Sequence, residues 1–151
     1  MKKILLAFVA LTFIGLNASE TLIPTSKDAK PLSGKNMMII ISSGEIEKSG
    51  MGMTLGLSAA MKGANVTIVI GANALKFAQI KGDQHKFLAK QLTHREILQK
   101  AVKNGANVQI CYMCAKALGL TDKDFIKGSK VVKSIKIFNK MYEEGTKVLS
   151  F

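Results

Sequence analysis

A pattern that recurs three times constrains the fold of this chain more than any other feature. Gly63–Ile68 (GANVTI) and Gly105–Ile110 (GANVQI) each join the end of a helical segment to a β-rich run, and Gly145–Leu149 (GTKVL) repeats the arrangement loosely. Glycine suits the left-handed position that ends many helices. Strands that follow helices at once are typical of repeated β-α-β units. The pattern therefore predicts an α/β fold with three α/β/α layers and a mostly parallel sheet of about five strands.

The other elements follow from apolar spacing. Asn36–Ser42 (NMMIIIS) is a continuous apolar run, typical of a strand buried on both faces. Glu45–Gly50 is expected to be loop or loose helix, and Lys81–Leu92 a loop. Thr93 and Glu96 form a capping-box pattern. Helices are expected over Met51–Met61, Ala74–Ile80, the segment after Thr93, Ala115–Leu118 and about Ser129–Glu144, the last burying Val131, Ile135, Phe138 and Tyr142.

The N-terminal residues have the features of a secretion signal. Lys2 and Lys3 precede an uncharged run, Ile4–Leu16, and the small Ala18 suits a cleavage site. Thirteen apolar residues are fewer than the roughly 20 that a spanning helix needs, although an uncleaved anchor stays open. We therefore expect a signal peptide over residues 1–18, an extended polar segment over 19–35 and an α/β domain over 36–151. The mature protein is expected to be periplasmic or otherwise exported and soluble, with no stable membrane span.

The basic composition does not indicate a nucleic-acid partner. The formal charge of +12 falls to +10 once Lys2 and Lys3 leave with the signal. Arg95 is the only arginine, and the lysines are scattered along the chain. Base readout and phosphate binding depend heavily on arginine and on interleaved aromatic residues. We interpret the positive charge as a lysine-rich surface exposed to solvent. Attraction to an acidic membrane or an acidic partner is the alternative.

Both cysteines lie in one C-x-x-C motif, Cys111 and Cys114, between the apolar run Asn107–Ile110 and a helical segment. A helix N-terminus favours a thiolate, so we expect a lowered thiol pKa. The pair is close enough for a disulfide, but its loop is too short to stabilise the fold much. The spacing favours redox, sulfur-transfer or metal chemistry. Ser42–Gly44 and Gly71 also follow strands, so they are expected at the same sheet edge, where ligands of open α/β sheets bind.

With these residues in hand, Val108–Leu120 (VQICYMCAKALGL) resembles the site region of the DsrE/DsrF-like family, and the element order of nearly the whole mature chain is similar to that family's. The family carries an active cysteine at a strand end and a small-residue helix closed by glycine, which Cys111 and Gly119 match. The resemblance implies a flavodoxin-like architecture, a homo-oligomer (trimer or hexamer), and a Cys111 that receives sulfane sulfur as a persulfide. Cys114 is an additional thiol.

Three functions stay open from the sequence. The first is sulfur trafficking or thiol redox chemistry by Cys111, with Cys114 as resolving thiol, in a sulfurtransferase or a sulfur carrier. The second is a Cu(I) site of both thiolates and Met113. The thioethers of Met37, Met38, Met51 and Met53 are weaker candidates, because their strand and helix positions favour a place in the core. The third is a non-enzymatic oligomeric interaction protein. Zinc would need two further ligands, and His85 and His94 are the only histidines. No cofactor or resident metal is expected; the expected partner is a sulfur donor or acceptor, protein or small molecule.

Overall fold

A parallel sheet of five strands forms the centre of the chain in a computed structural model that describes residues 31–82, 85–87 and 92–151. Its strands, in chain order, are β1 (Asn36–Ile41), β2 (Asn65–Ile70), β5 (Asn107–Cys111), β6 (Lys130–Val132) and β7 (Thr146–Ser150). Their lateral order is β6-β5-β2-β1-β7, with all pairs parallel. Two further short strands, β3 (Lys86–Phe87) and β4 (Leu92–Thr93), pair antiparallel outside this sheet. The predicted α/β fold with a mostly parallel sheet is confirmed.

Within the described residues, five helices connect the strands: α1 (Ile46–Met61), α2 (Leu75–Ala78), α3 (His94–Lys103), α4 (Tyr112–Ala117) and α5 (Ser134–Met141). Single 3₁₀ turns lie at Ala72–Ala74 and Asp122–Asp124. The chain moves from β1 through β2 and β5 to β6 and then returns across the sheet to β7. α1 and α3 pack against each other on one face of the sheet. The right-handed rule for parallel connections predicts that α5, on the return from β6 to β7, lies on the opposite face.

The main core lies between the sheet and the helices α1 and α3. Alternate strand residues point into it, because successive side chains of a strand face opposite sides. They meet buried helix residues; the central members are Ile39, Ile41, Ile68, Ile70, Val108, Ile110, Met53, Leu57, Ile97 and Leu98. Gly56 allows α1 to approach closely, since a Cβ there would lie 2.7 Å from Cδ1 of Ile68. The sheet is therefore held rigidly under its carboxyl edge, where the cysteines lie.

The prediction of one long helix over Ser129–Glu144 is wrong. Lys130–Val132 instead forms β6, which pairs with β5 so that Val132 is the partner of Cys111. The side chain of Asp122 fixes this strand by accepting a hydrogen bond from the Val131 amide at 2.7 Å. β-Branched residues beside an open strand edge take their conformation from the pairing that the fold offers. The helix α5 consequently begins only at Ser134.

The predicted burial of the last helix is also wrong. Ile135, Phe138 and Tyr142 are 63%, 52% and 82% exposed, and no residue of α5 is buried. The helix packs against β7, the edge strand of the sheet, and its apolar side remains exposed. These three residues, named here the α5 stripe, face solvent in the single chain.

Several boundaries differ from those expected. The helix α1 begins at Ile46, earlier than Met51, because Ser43 caps the preceding turn: its hydroxyl accepts from the Glu45 amide and its carbonyl accepts from the Ser49 hydroxyl. The expected loop over Lys81–Leu92 contains β3 and the start of β4, with residues 83–84 and 88–91 outside the described part. The predicted signal peptide and most of the predicted 19–35 segment also lie outside it. Within the described ranges, no helix combines the length and apolarity needed to cross a bilayer.

The predicted capping box at the start of α3 is confirmed, and it generates a stability prediction. The Thr93 hydroxyl accepts the Glu96 amide at 3.2 Å, while the Glu96 carboxylate accepts the Thr93 amide at 2.7 Å. These hydrogen bonds hold the pKa of Glu96 below its ordinary value. We expect Thr93→Ala to lower the free energy of unfolding by about 1 kcal/mol, measured by urea denaturation at pH 7.

The pH dependence of that loss has a defined sign. A carboxyl group with a lowered folded pKa stabilises the fold above its unfolded pKa, and this contribution disappears as the pH falls through the folded value. Thr93→Ala keeps the amide but loses the hydroxyl that donates to the Glu96 carboxylate at 3.0 Å. This part of its difference from the native chain should therefore shrink as the pH falls below 4.5, the ordinary value of Glu96. Thr93→Ser retains the hydroxyl and is the control. An equal loss in the serine variant would contradict the capping explanation.

Candidate active site at the end of β5

Cys111 joins the central strand β5 to the helix α4. It is the last residue of the strand and also the N-cap of the helix, where its Sγ accepts the Cys114 amide at 3.4 Å. An N-cap group satisfies one of the amides that the first helical turn leaves without a partner. Ala115, buried beneath this turn, anchors α4 to the core. The junction that the sequence predicts is present, and it fixes the position of both cysteines.

The two cysteines are free thiols in direct contact. The Sγ atoms of Cys111 and Cys114 lie 2.7 Å apart, in hydrogen-bonding contact. Both side chains are half-buried. The end of β2 completes the site, because the Ala72 amide donates to Cys114 Sγ at 3.3 Å. The predicted approach of Gly71 is observed as well: a Cβ on this glycine would lie 3.4 Å from Cys111 Cβ.

Ala72 is the site residue that sequence reasoning misses. Its φ of 46° makes it the single non-glycine residue with a positive φ in the ranges that the structure describes. This conformation costs an L-residue about 1–2 kcal/mol and persists where surrounding structure holds it, often at functional sites. Alanine has no preference for a positive φ, so nothing in the sequence indicates this conformation at Ala72. The strained backbone of Ala72 directs its amide at the Sγ of Cys114.

The expected lowering of the thiol pKa is wrong for Cys111. Burial raises the pKa of Cys111, and the hydrogen bond and charge of the adjacent Cys114 raise it further. The amides of Cys114 and Met113 act in the opposite direction, as expected at a helix start, but they are outweighed. Desolvation penalises the charged form, and α4 is too short to compensate with a strong dipole. At neutral pH Cys111 is therefore predominantly protonated.

Ser42–Gly44 lies at the same edge of the sheet as the cysteines, one strand further away. A Cβ on Gly44 would lie 3.0 Å from Cβ of Asn73 and 3.7 Å from Nζ of Lys76. The Ser42 amide donates to the Phe151 carbonyl at 2.8 Å. The segment thus packs against the turn that carries Ala72, and it supports that turn from outside.

The observed donors do not fit a zinc ion as they stand. Two thiolates bound tetrahedrally at zinc distances would lie about 3.8 Å apart, well above the 2.7 Å between these sulfurs. His94 is buried in the core, where its Nε2 bonds the Ile46 carbonyl at 2.8 Å and its ring stacks on Phe77. Of the methionine candidates, Met38 and Met53 are fully buried. Within residues 31–82, 85–87 and 92–151, no three histidine, cysteine or acidic residues form a metal-binding group.

Fold and site together define a class: parallel α/β proteins with thiols at the carboxyl edge of a central strand. The chain belongs to the DsrE/DsrF-like family, whose sequence pattern matches residues 35–151. The resemblance drawn from Val108–Leu120 is thereby confirmed at the family level. Membership places the chain in a family of the sulfur-relay type.

Individual relatives agree with this assignment. The chain is 31% identical over 85 residues to the uncharacterized protein MJ0989 of Methanocaldococcus jannaschii, covering 56% of this chain and 71% of that protein. Its fold is similar to the crystal structure of YchN from E. coli, with a TM-score of 0.66, and to MTH1491 from Methanobacterium thermoautotrophicum, with a TM-score of 0.61. Both comparisons cover 78% of this chain and 99% of the other, at 12% identity, so they show a common fold.

The raised pKa of Cys111 leads to a prediction for alkylation. The thiol and charge of Cys114 contribute to that rise, so Cys114→Ala should lower the pH midpoint at which Cys111 reacts with iodoacetamide. Peptide-level mass spectrometry over a pH series gives the midpoint for Cys111 in both proteins. Met113→Ala, which leaves both thiols and all backbone amides, serves as the control. A midpoint that stays unchanged or rises in Cys114→Ala would show that the neighbouring thiol has no such effect.

Proposed function

We propose that the protein accepts sulfane sulfur on Cys111 as a persulfide and passes it on, with Cys114 as resolving thiol. The observation that carries this proposal is the contact of two free thiols, 2.7 Å apart, at the end of a central strand. Membership in a sulfur-relay-type family supports the same chemistry. The protein acts as a sulfur carrier or sulfurtransferase in the periplasm or another exported location, as its N-terminal sequence suggests.

The first step is loss of one proton from the thiol pair. The other sulfur of the pair lies 2.7 Å away, in hydrogen-bonding contact with the resulting thiolate. The Ala72 amide contacts one sulfur and the Cys114 amide contacts the other, so the charge is stabilised on either atom. Charge-assisted hydrogen bonds of this kind are stronger than neutral ones. The raised pKa of Cys111 keeps this thiol mostly protonated at neutral pH, so the attacking thiolate is a minor population.

The second step transfers the sulfur without net oxidation. The Cys111 thiolate attacks the outer sulfur of a persulfide donor R–S–SH, the donor S–S bond breaks, and R–S⁻ leaves. The products are Cys111–S–SH and the donor thiolate, so atoms and electrons balance. An acceptor thiolate then attacks the same outer sulfur and regenerates the Cys111 thiolate.

Cys114 provides the alternative exit from the persulfide. Its thiolate attacks Cys111 Sγ, closes the Cys111–Cys114 disulfide and releases hydrosulfide, HS⁻. The sulfurs are already in contact, so this step needs little movement of the chain. The disulfide must then be reduced by a dithiol reductant to restore the resting pair. Cys114 thus limits the lifetime of the persulfide when no acceptor binds.

Intact-mass analysis of persulfidation tests the proposal. The reduced protein treated with inorganic polysulfide should gain one sulfur atom on Cys111, and Cys111→Ser should gain none there. Cys114→Ser lacks the resolving thiol, so its persulfide should persist at least tenfold longer and it should release little hydrosulfide.

The control is Met113→Ala, which changes a residue between the two cysteines and leaves both thiols in place. It should form its persulfide and lose it as the native protein does. Absence of any adduct together with stoichiometric binding of Cu(I) would replace this proposal with a metal-binding function. Equal persulfide lifetimes in the native protein and Cys114→Ser would remove the resolving role of Cys114.

The α5 stripe supports a homo-oligomer. An apolar helix side of this kind is unusual on the surface of a single chain and is typical of a subunit contact. Ile135, Phe138 and Tyr142 together present one aliphatic and two aromatic side chains, and aromatic residues are enriched at such interfaces. We propose that these residues lie between subunits of a trimer or hexamer, the forms implied by the family resemblance.

Light scattering after size-exclusion chromatography tests this assembly. Phe138→Glu puts a charge into the proposed contact and should reduce the oligomer to monomer, because burying an unpaired carboxylate is costly. Asn139→Glu adds the same charge at the next, exposed position of α5 and should leave the mass unchanged. Retention of the full mass by Phe138→Glu, with native circular dichroism, would exclude the stripe from the contact.

A further inference from the structure

We propose that a groove beside α4 binds the low-molecular-weight sulfur donor, and that this donor is an organic persulfide carrying two carboxylates and one ammonium group, of about the size of glutathione. The inference rests on the proposed function, since it names the substrate class of the same cysteines. It depends on residues that the thiol pair itself does not use.

The groove has a volume of about 540 Å³ and lies between α4 and β6. Small-molecule sites commonly measure about 300–1,000 Å³. Its lining combines an apolar floor with three charged side chains; the residues that matter are Tyr112, Lys116, Leu120, Asp122, Val131 and Lys133. Most of the exposed lining surface is apolar. It is therefore suited to an organic molecule rather than to a bare inorganic anion.

The groove lies beside the strand end that carries Cys111, although Cys111 does not itself line it. Tyr112, which lines it, directly follows Cys111, and Val132 of β6 is the register partner of Cys111. Lys116 lies one helical turn after Tyr112, so both side chains occupy the same flank of α4. Cys114 instead contacts Ala72 at the end of β2. Cys111 therefore adjoins the groove through its chain neighbour Tyr112, whereas Cys114 contacts the turn after β2.

The charges of the lining determine the ligand. Lys116 and Lys133 supply two positive charges, and the Lys116 Nζ lies 5.9 Å from the centroid of the Tyr112 ring, at the side of the groove. Asp122 supplies one negative charge. Its Oδ1 accepts the Val131 amide at 2.7 Å, which fixes the carboxylate and leaves its other oxygen for a ligand. Two cations and one carboxylate match a ligand with two carboxylates and one ammonium group.

The apolar residues explain why an organic body is required. Leu120 and Val131 are half-buried and present aliphatic surface, to which the Tyr112 ring adds an aromatic face. Inorganic persulfide and thiosulfate have no apolar part to cover this surface, so they gain only the charge interactions. An organic donor bound by its carboxylates holds its sulfurs at the Cys111 end of the groove. The sulfur is then transferred as described above: the Cys111 thiolate attacks the outer sulfur of the donor, and the organic thiolate leaves.

Binding of an unreactive analogue tests the groove separately from the chemistry. S-Methylglutathione has the required charges but no thiol, and isothermal titration calorimetry with the purified protein measures its affinity. We expect the paired substitution Lys116→Ala with Lys133→Ala to weaken binding at least tenfold. Lys100→Ala with Lys103→Ala, which removes two exposed lysines of α3, is the charge-matched control and should bind as the native protein. No binding at millimolar concentration, or equal weakening by the control, overturns the proposal.

Persulfidation kinetics supply the second measurement. The Lys116/Lys133 variant should react at least tenfold more slowly with glutathione persulfide, while its rate with inorganic polysulfide stays unchanged. A fall in both rates would mean that the lysines act on the thiols and do not bind a donor. A change in the mass of the oligomer would mean that the groove is a contact between subunits. Either result overturns the proposal. Lysine-dependent binding without any persulfide on Cys111 would uphold the groove and reject the proposed function.

Discussion

The pairing of β5 on both of its edges is the constraint on which the candidate site depends. On one edge β2 ends beside it, and the turn after β2 places the Ala72 amide on Cys114 Sγ. On the other edge β6 ends beside it, and this pairing forms the wall of the groove that contains Val131 and Lys133. Cys111 lies between these two structures because it is both strand end and helix cap. Loss of either pairing would leave the cysteines without half of their surroundings.

Two opposing effects set the state of the thiols. The amides of Cys114 and Met113 favour a thiolate on Cys111, whereas burial and the neighbouring sulfur favour the thiol. The second pair of effects is larger, because desolvation acts on the whole charge while a short helix supplies only a few aligned amides. A protonated Cys111 is protected from oxidation, and it reacts through the small fraction that has lost its proton.

Local signals in the sequence were enough to predict much of this site. The Thr93 and Glu96 box marked the start of α3, and the change from an apolar run to a helical pattern put Cys111 at a junction. The same reasoning failed at β6, because its three residues become a strand only when the edge of β5 is beside them. It failed again at Ile135, Phe138 and Tyr142, where helical spacing gives an apolar side without saying what covers it.

By itself the sequence determined the alternation of helices and strands, the place of the thiols in that order, and the family that shares it. These follow from periodicity, glycine positions and the C-x-x-C spacing, all of which act over a few residues. Only the tertiary structure decided which strand flanks β5, which amide reaches Cys114, and in which direction the pKa of Cys111 moves. The reason is that strand neighbours and burial arise from segments distant in sequence, and no local pattern encodes them.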